Sequence, residues 1–168
     1  MLLPLVLTLG VLIDQLPLLP SGSAMQVELG DFEAAGTGGS LWHAAKVLCS
    51  WQARSADSIR GSRVLELGCG TGGCGLYAAG LGAKSVLLTD ALPGCLELVR
   101  RNIRLNQEVI HEGCDVSVLP LLWGSELRGP TVGPFDLVLG SVTLAPTYPP
   151  TQPKQEPVTD WPHPRPEV

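Results

Sequence analysis

Apolar positions fall into two rhythms along this chain, and the stretch from Arg63 to Asp90 shows both. Val64, Leu65 and Leu67 form a short apolar run of the kind found in a buried parallel strand. Gly68, Gly70, Gly72 and Gly73 follow at once, so the chain turns where side chains would block a ligand. Leu76, Tyr77, Ala79 and Leu81 supply the apolar positions of a helix, and Gly82 suits a left-handed helix end. A second apolar strand, Ser85 to Thr89, then delivers Asp90. The pattern predicts strand, glycine turn, helix and strand, with the free N–H groups of the helix aimed over the turn.

Helical spacing also dominates the flanks. Ser40 is expected to cap a helix running to about Arg54, with Leu41, Ala44, Ala45, Leu48 and Trp51 on its inner face and Trp42 off that stripe. Asp90-Ala-Leu-Pro93 opens a further helix, with Pro93 in its first turn. Its buried stripe is expected to be Leu92, Leu96, Val99 and Ile103, with Asn102 and Asn106 as surface or cap residues. A third strand is predicted over Asp115 to Leu119, ended by Pro120 and followed by a loop holding Trp123. Gly129, Pro130, Gly133 and Pro134 make a loop before a fourth strand, Asp136 to Leu139.

The Leu-rich start is a separate question, because Leu2 to Ile13 is an apolar run of 12 residues and Ser21-Gly-Ser-Ala24 resembles a signal cleavage site. Twelve residues are too few to span a bilayer, and the first Lys or Arg of the chain is Lys46, so the basic start of a signal peptide is missing. The reading preferred here is a strand or arm packed on the domain, with secretion as the alternative.

Composition narrows the classes. The 168 residues are 45% hydrophobic and 16% charged, enough for one domain with a real core. A net charge of -5 argues against nucleic acid as a main partner. Arg100, Arg101 and Arg104 read as the solvated face of a helix. Cys49, Cys69, Cys74, Cys95 and Cys114 are odd in number and hold no C-x-x-C, so they suggest neither a disulfide framework nor zinc, and read as small buried hydrophobes. His43, His111 and His163 are scattered, no metal site is expected, and no nucleophile stands beside a recognisable base.

The candidate chemistry lies at the glycine turn. Gly68-Cys-Gly70-Thr-Gly-Gly73 satisfies the dinucleotide fingerprint G-x-G-x-x-G, and Asp90 is placed to accept hydrogen bonds from the two ribose hydroxyls of an adenosine. Glu66, two residues before the first glycine, would repel a pyrophosphate but suits the ammonium and sulfonium charges of S-adenosylmethionine (SAM). SAM is therefore preferred over NAD. The plainer reading of Glu66 is a solvated residue at a strand end.

Glu66-Leu-Gly-Cys-Gly-Thr-Gly72 followed by Leu87-Leu-Thr-Asp90 resembles motif I and the next acidic strand end of the seven-strand SAM-dependent methyltransferases. Gly38-Gly-Ser-Leu-Trp42, Leu121-Leu-Trp-Gly124 and Phe135-Asp-Leu-Val-Leu-Gly-Ser141 are similar to further motifs of the protein-lysine methyltransferases of methyltransferase family 16. The resemblance implies a Rossmann-like α/β fold, here incomplete, with strands 1 to 4 in the order 3-2-1-4, helices on both faces and the fourth strand an exposed edge. It implies SAM as cofactor, held by Trp42, Glu66, Gly68, Gly70, Asp90, Trp123 and Ser141, with Trp42 walling the cleft and Trp123 beside the adenine. Core packing is the competing role for both tryptophans. The implied reaction is transfer of a methyl group to a lysine of a protein substrate, in the cytoplasm or nucleus.

One departure matters. After Gly-Ser the family pattern calls for D-x-x-Y, which closes the active site around cofactor and amine, and about three more strands and two helices. This chain reads Val142-Thr-Leu-Ala145, then a tail with eight prolines between Ala145 and Val168, which excludes central strands and helix interiors. Tyr148 lies in that tail and is a poor stand-in for the missing tyrosine. The expected organisation is a Leu-rich segment at 1–24, a partial methyltransferase domain at 25–141 and a disordered Pro-rich tail at 142–168, as a truncated or spliced form would show. No catalytic residue is assigned. The alternatives are a non-catalytic module that binds SAM or a partner, a small-molecule methyltransferase, and an NAD oxidoreductase. Pro146-Thr-Tyr-Pro149 and Pro150-Thr-Gln-Pro153 are both P-x-x-P and would suit an SH3-type partner, and an exposed strand edge would suit a chaperone.

Overall fold

A computed structural model describes residues 11–141. The start of the Leu-rich run, Val142 to Ala145, Tyr148 and both P-x-x-P segments lie outside the described residues. Strands β1 (Ile13–Gln15) and β2 (Gln26–Glu28) form an antiparallel pair. Helix α1 (Phe32–Ala35), a 3-10 turn (Gly36–Gly39), α2 (His43–Arg54) and α3 (Ala56–Ile59) follow. Then come β3 (Arg63–Leu67), α4 (Gly73–Gly80), β4 (Ser85–Asp90), α5 (Pro93–Leu105), β5 (Asp115–Pro120) and β6 (Leu137–Leu139). The four later strands form one parallel sheet in the order β5-β4-β3-β6, which is the expected order 3-2-1-4.

The helices, however, share one face. Val64, Val86, Leu88, Val116, Val118, Leu137 and Leu139 alternate along the strands and join residues of α2, α4 and α5 in a single core. Right-handed crossovers explain this: β3-α4-β4 and β4-α5-β5 step the same way along the sheet, so both helices land on the same side. The return from β5 to β6 carries no helix among the described residues, which corrects the expectation of helices on both faces. Segment 121–136 runs there instead, and a Cβ on Gly129 would lie 2.8 Å from Leu119. Val138, on edge strand β6, is 55% exposed.

Helix α4 is buried all round, from Gly73 to Ala79. Its small residues explain how it fits between two layers. Gly75 faces the sheet, where a Cβ would meet the Leu88 side chain and lie 2.8 Å from the Glu66 carboxyl. Gly80 faces the hairpin, where a Cβ would lie 2.9 Å from Leu19. Leu16, Leu19, Met25 and Val27 of the hairpin region belong to the core, and Tyr77 Oη donates to the Leu18 carbonyl at 2.9 Å. The described part of the Leu-rich start thus packs over α4.

Two asparagines hold β2 in place. Asn102 Oδ1 accepts from Glu28 N–H at 2.7 Å and its Nδ2 donates to the Glu28 carbonyl at 3.0 Å. Asn106 repeats the pair with Gln26, at 2.9 and 2.7 Å. Residues four apart on a helix rise about 6 Å, and residues two apart on a strand about 6.6 Å, so the two amides match the strand's free edge as another strand would. Both asparagines are buried, which corrects their reading as surface residues, although Asn106 does stand at the C-cap of α5.

Three smaller expectations change. Helix α2 begins at His43 with Trp42 as its N-cap residue, and the Ser40 N–H instead bonds the Thr37 carbonyl in the preceding turn. Its buried positions are Ala45, Cys49 and Gln52, so Trp51 points outward. On α5 the buried set is Cys95, Leu96, Leu98, Val99 and Asn102, and Leu92 is exposed. Arg101 leaves the solvated group, since its Nε lies 2.6 Å from Glu28 Oε1.

Candidate cofactor site

The candidate site forms where β3 and β4 end. Gly68, Gly70 and Gly72 have φ of 62°, 52° and 79°, the left-handed region that side-chain-bearing residues avoid. Gly70 also meets another backbone, for a Cβ there would lie 2.7 Å from the Gly38 carbonyl oxygen. The Gly36–Gly39 turn therefore presses on the glycine turn at a distance that only glycine allows. Helix α4 opens directly after it, with Gly72 as an N-cap residue that has no side chain to offer.

Asp90 is fixed against this turn. Its Oδ2 accepts the Gly70 N–H at 2.9 Å and its Oδ1 accepts the Leu92 N–H at 3.0 Å. Each oxygen keeps a further acceptor position, which fits the two hydroxyls of a ribose. The Leu121 N–H bonds the Asp90 carbonyl at 2.9 Å, bringing the segment that carries Trp123 to the same strand end.

Glu66 lies beneath the turn. It is 1% exposed, and its Oε2 accepts the Gly75 N–H at 2.7 Å. Burial first, then the neighbouring Cys74, push its carboxyl well above the usual range, while the Gly75 bond pulls the other way. It is no solvated strand end. The neighbouring Cys74 thiol, whose Sγ donates to the Ala45 carbonyl at 3.8 Å, is raised by Cys49 and by burial, with Ser141 and Glu66 opposing. Trp42 and Trp123 are 49% and 50% exposed, so neither is core filling, and Trp42 Nε1 donates to the Thr37 carbonyl at 2.9 Å.

Two residues near the turn escaped the sequence reading. Burial and then the Asp90 carboxylate push the Cys95 thiol up to about 12. Asn102, fully buried, donates from Nδ2 to the Thr71 carbonyl at 2.9 Å as well as to Glu28. Their signal was present, for Cys95, Leu98, Val99, Asn102 and Asn106 fall on one face at helical spacing, with the asparagines in line with apolar neighbours. No group of three or more His, Cys, Asp or Glu able to hold a metal occurs among the described residues.

Comparison with known proteins places this geometry. Residues 23–144 match the lysine methyltransferase family model. The zebrafish (Danio rerio) protein N-lysine methyltransferase METTL21A is 39% identical over 123 residues, covering 71% of this chain and 54% of that protein. The mouse (Mus musculus) EEF1A lysine methyltransferase 3 is 38% identical, covering 68% and 47%. The histone-arginine methyltransferase METTL23 of Xenopus laevis is 36% identical, covering 60% and 42%. The chain thus spans about half the length of the curated relatives it matches. The family implies S-adenosyl-L-methionine as methyl donor, and a glycine-rich turn beside a doubly anchored carboxylate fits such a cofactor. With the match running through most of its length, the chain belongs to the lysine methyltransferase family.

Proposed function

We propose that this chain carries the cofactor-binding half of a SAM-dependent protein-lysine N-methyltransferase. The observation that carries the reading is Asp90, held by Gly70 and Leu92 with acceptor capacity left on both oxygens, at the end of a parallel strand beside a glycine turn. Asp90 would hold the ribose, Gly68 and Gly70 would let the cofactor approach the backbone, and Trp42, Trp123 and Ser141 would border the cleft. Glu66, buried beneath the turn and bonded to the Gly75 N–H, would act on the cofactor only through the turn it supports. When bound, SAM supplies a methyl group on a positively charged sulfur.

The protein's share of the chemistry is orientation and exclusion of water. An acceptor lysine must lose its proton, and with an unperturbed pKa of about 10.4 it needs a site that selects the neutral amine. The D-x-x-Y pattern would orient that amine. The sequence has Val142 and Ala145 in those places, so no side chain of this chain is assigned to the task. The same substitution favours a second reading, a non-catalytic module that binds SAM or a partner. We place the protein in the cytoplasm or nucleus on the family's implication. No helix among the described residues is long and apolar enough to cross a membrane.

Calorimetric titration with S-adenosylhomocysteine tests the site, beside an Asp90→Ala variant checked for folding by circular dichroism. Saturable binding that is lost in the variant is the expected result, and a folded wild-type chain that binds nothing would sink the SAM reading. Radiolabelled SAM with protein extracts, followed by amino-acid analysis, separates lysine from arginine as acceptor and an enzyme from a binding module.

A further inference from the structure

We propose that Asn102 is a positioning residue for the cofactor turn, coupling β2 to the glycine turn through one amide nitrogen. Its Nδ2 donates to the carbonyls of both Glu28 and Thr71, at 3.0 and 2.9 Å, while its Oδ1 accepts the Glu28 N–H. The Thr71–Gly72 peptide is thereby fixed at both ends, because its N–H donates to the Cys69 carbonyl at 2.7 Å. The orientation of this peptide sets the course of the turn into α4. Val99, one turn earlier on α5, supports the same spot, where a Cβ on Gly72 would lie 3.2 Å from its methyl groups.

An asparagine inside a helix is unfavourable by propensity, and a buried one is tolerated only with its polar groups bonded. Asn102 meets that condition solely because β2 and the turn arrive together, from positions 74 and 31 residues away. A change in either partner alters the bonds open to the other. Asn106 provides the contrast, since its amide serves Gln26 and the Asn102 carbonyl and does not reach the turn.

The test compares Asn102→Asp with Asn106→Asp in the full chain, by calorimetric titration with S-adenosylhomocysteine and thermal melting. Asn102→Asp keeps the acceptor for Glu28 N–H but sets an oxygen against the Thr71 and Glu28 carbonyls. The expected result is a Kd raised about tenfold by Asn102→Asp and about twofold or less by Asn106→Asp, at similar losses of Tm. Equal losses of affinity at equal losses of Tm would overturn the proposal, leaving Asn102 as a fastener of the hairpin alone.

If both variants melt too low to titrate, the wild-type chain answers through reciprocity, because coupling must run both ways. Saturation with S-adenosylhomocysteine should slow hydrogen exchange at the Glu28 N–H more than at the Gln26 N–H, and equal protection overturns the coupling. The inference rests on the SAM reading: a folded wild-type chain that binds no S-adenosylhomocysteine defeats both, whereas binding with indistinguishable variants defeats only this one.

Discussion

The β3-α4-β4 unit and the β1-β2 hairpin region meet at α4, yet different physics holds each together. In the first, about 30 contiguous residues carry their own instructions: apolar strands, glycines where φ is positive, and a helix with Gly75 against the sheet. The hairpin strands have only three residues each, and β2 is paired on its outer side by asparagine side chains from α5. The first unit is local and steric in its specification. The second depends on amides 74 and 80 residues distant in sequence. Damage to the first should therefore reach the whole fold, and damage to the second should open one layer.

Gly75→Ala should be the most severe break, because the new methyl group meets Leu88 and the Glu66 carboxyl in the core of the unit. A loss of about 3 kcal/mol is expected by denaturant unfolding, despite alanine's better helix propensity. Asn106→Ala should cost about 2 kcal/mol by leaving the Gln26 N–H and carbonyl without their partner. Hydrogen exchange should then quicken at Gln26 and leave the β3–β4 ladder protected; equal loosening of both would erase the distinction between the regions.

Glu66→Gln sharpens the comparison from the other side. The buried carboxyl has its pKa raised in the fold, so its stability contribution is full below the unfolded value of about 4.3 and is lost as pH rises through the folded value. The neutral amide escapes that loss. The unliganded variant should therefore gain on the wild type by a few degrees in Tm between pH 5 and pH 8; a difference that stays flat with pH would contradict the burial argument. The smallest effect belongs to Arg101→Ala, where a partly exposed pair with Glu28 should contribute about 0.5 kcal/mol, fading in high salt.

The two regions also differ in how legible they were. The glycine turn and Asp90 could be read because strand period and glycine conformation act over short distances, whereas the four-strand order was implied by the family resemblance. Trp51 lies outside its expected inner place because α2 presents Gln52 to α4, where Nε2 donates to the Cys74 carbonyl at 3.1 Å. Hydrophobicity alone favours the tryptophan at such a position. Asn102 and Asn106 were misread for a related reason, since an amide looks polar until a strand edge satisfies it.

By itself, then, the sequence determined the parallel βαβ core, the glycine-rich turn and the carboxylate at the tip of β4. Each follows from apolar spacing or from the backbone freedom of glycine, and needs no knowledge of distant residues. Only the tertiary structure decided that the sheet-packing helices share one face, that Glu66 lies under the turn, and that α5 pairs β2 with two side-chain amides. The first follows from the strand order and the hand of the crossovers; the other two turn on desolvation and hydrogen-bond satisfaction, which exist only once segments far apart in the chain have closed around each other.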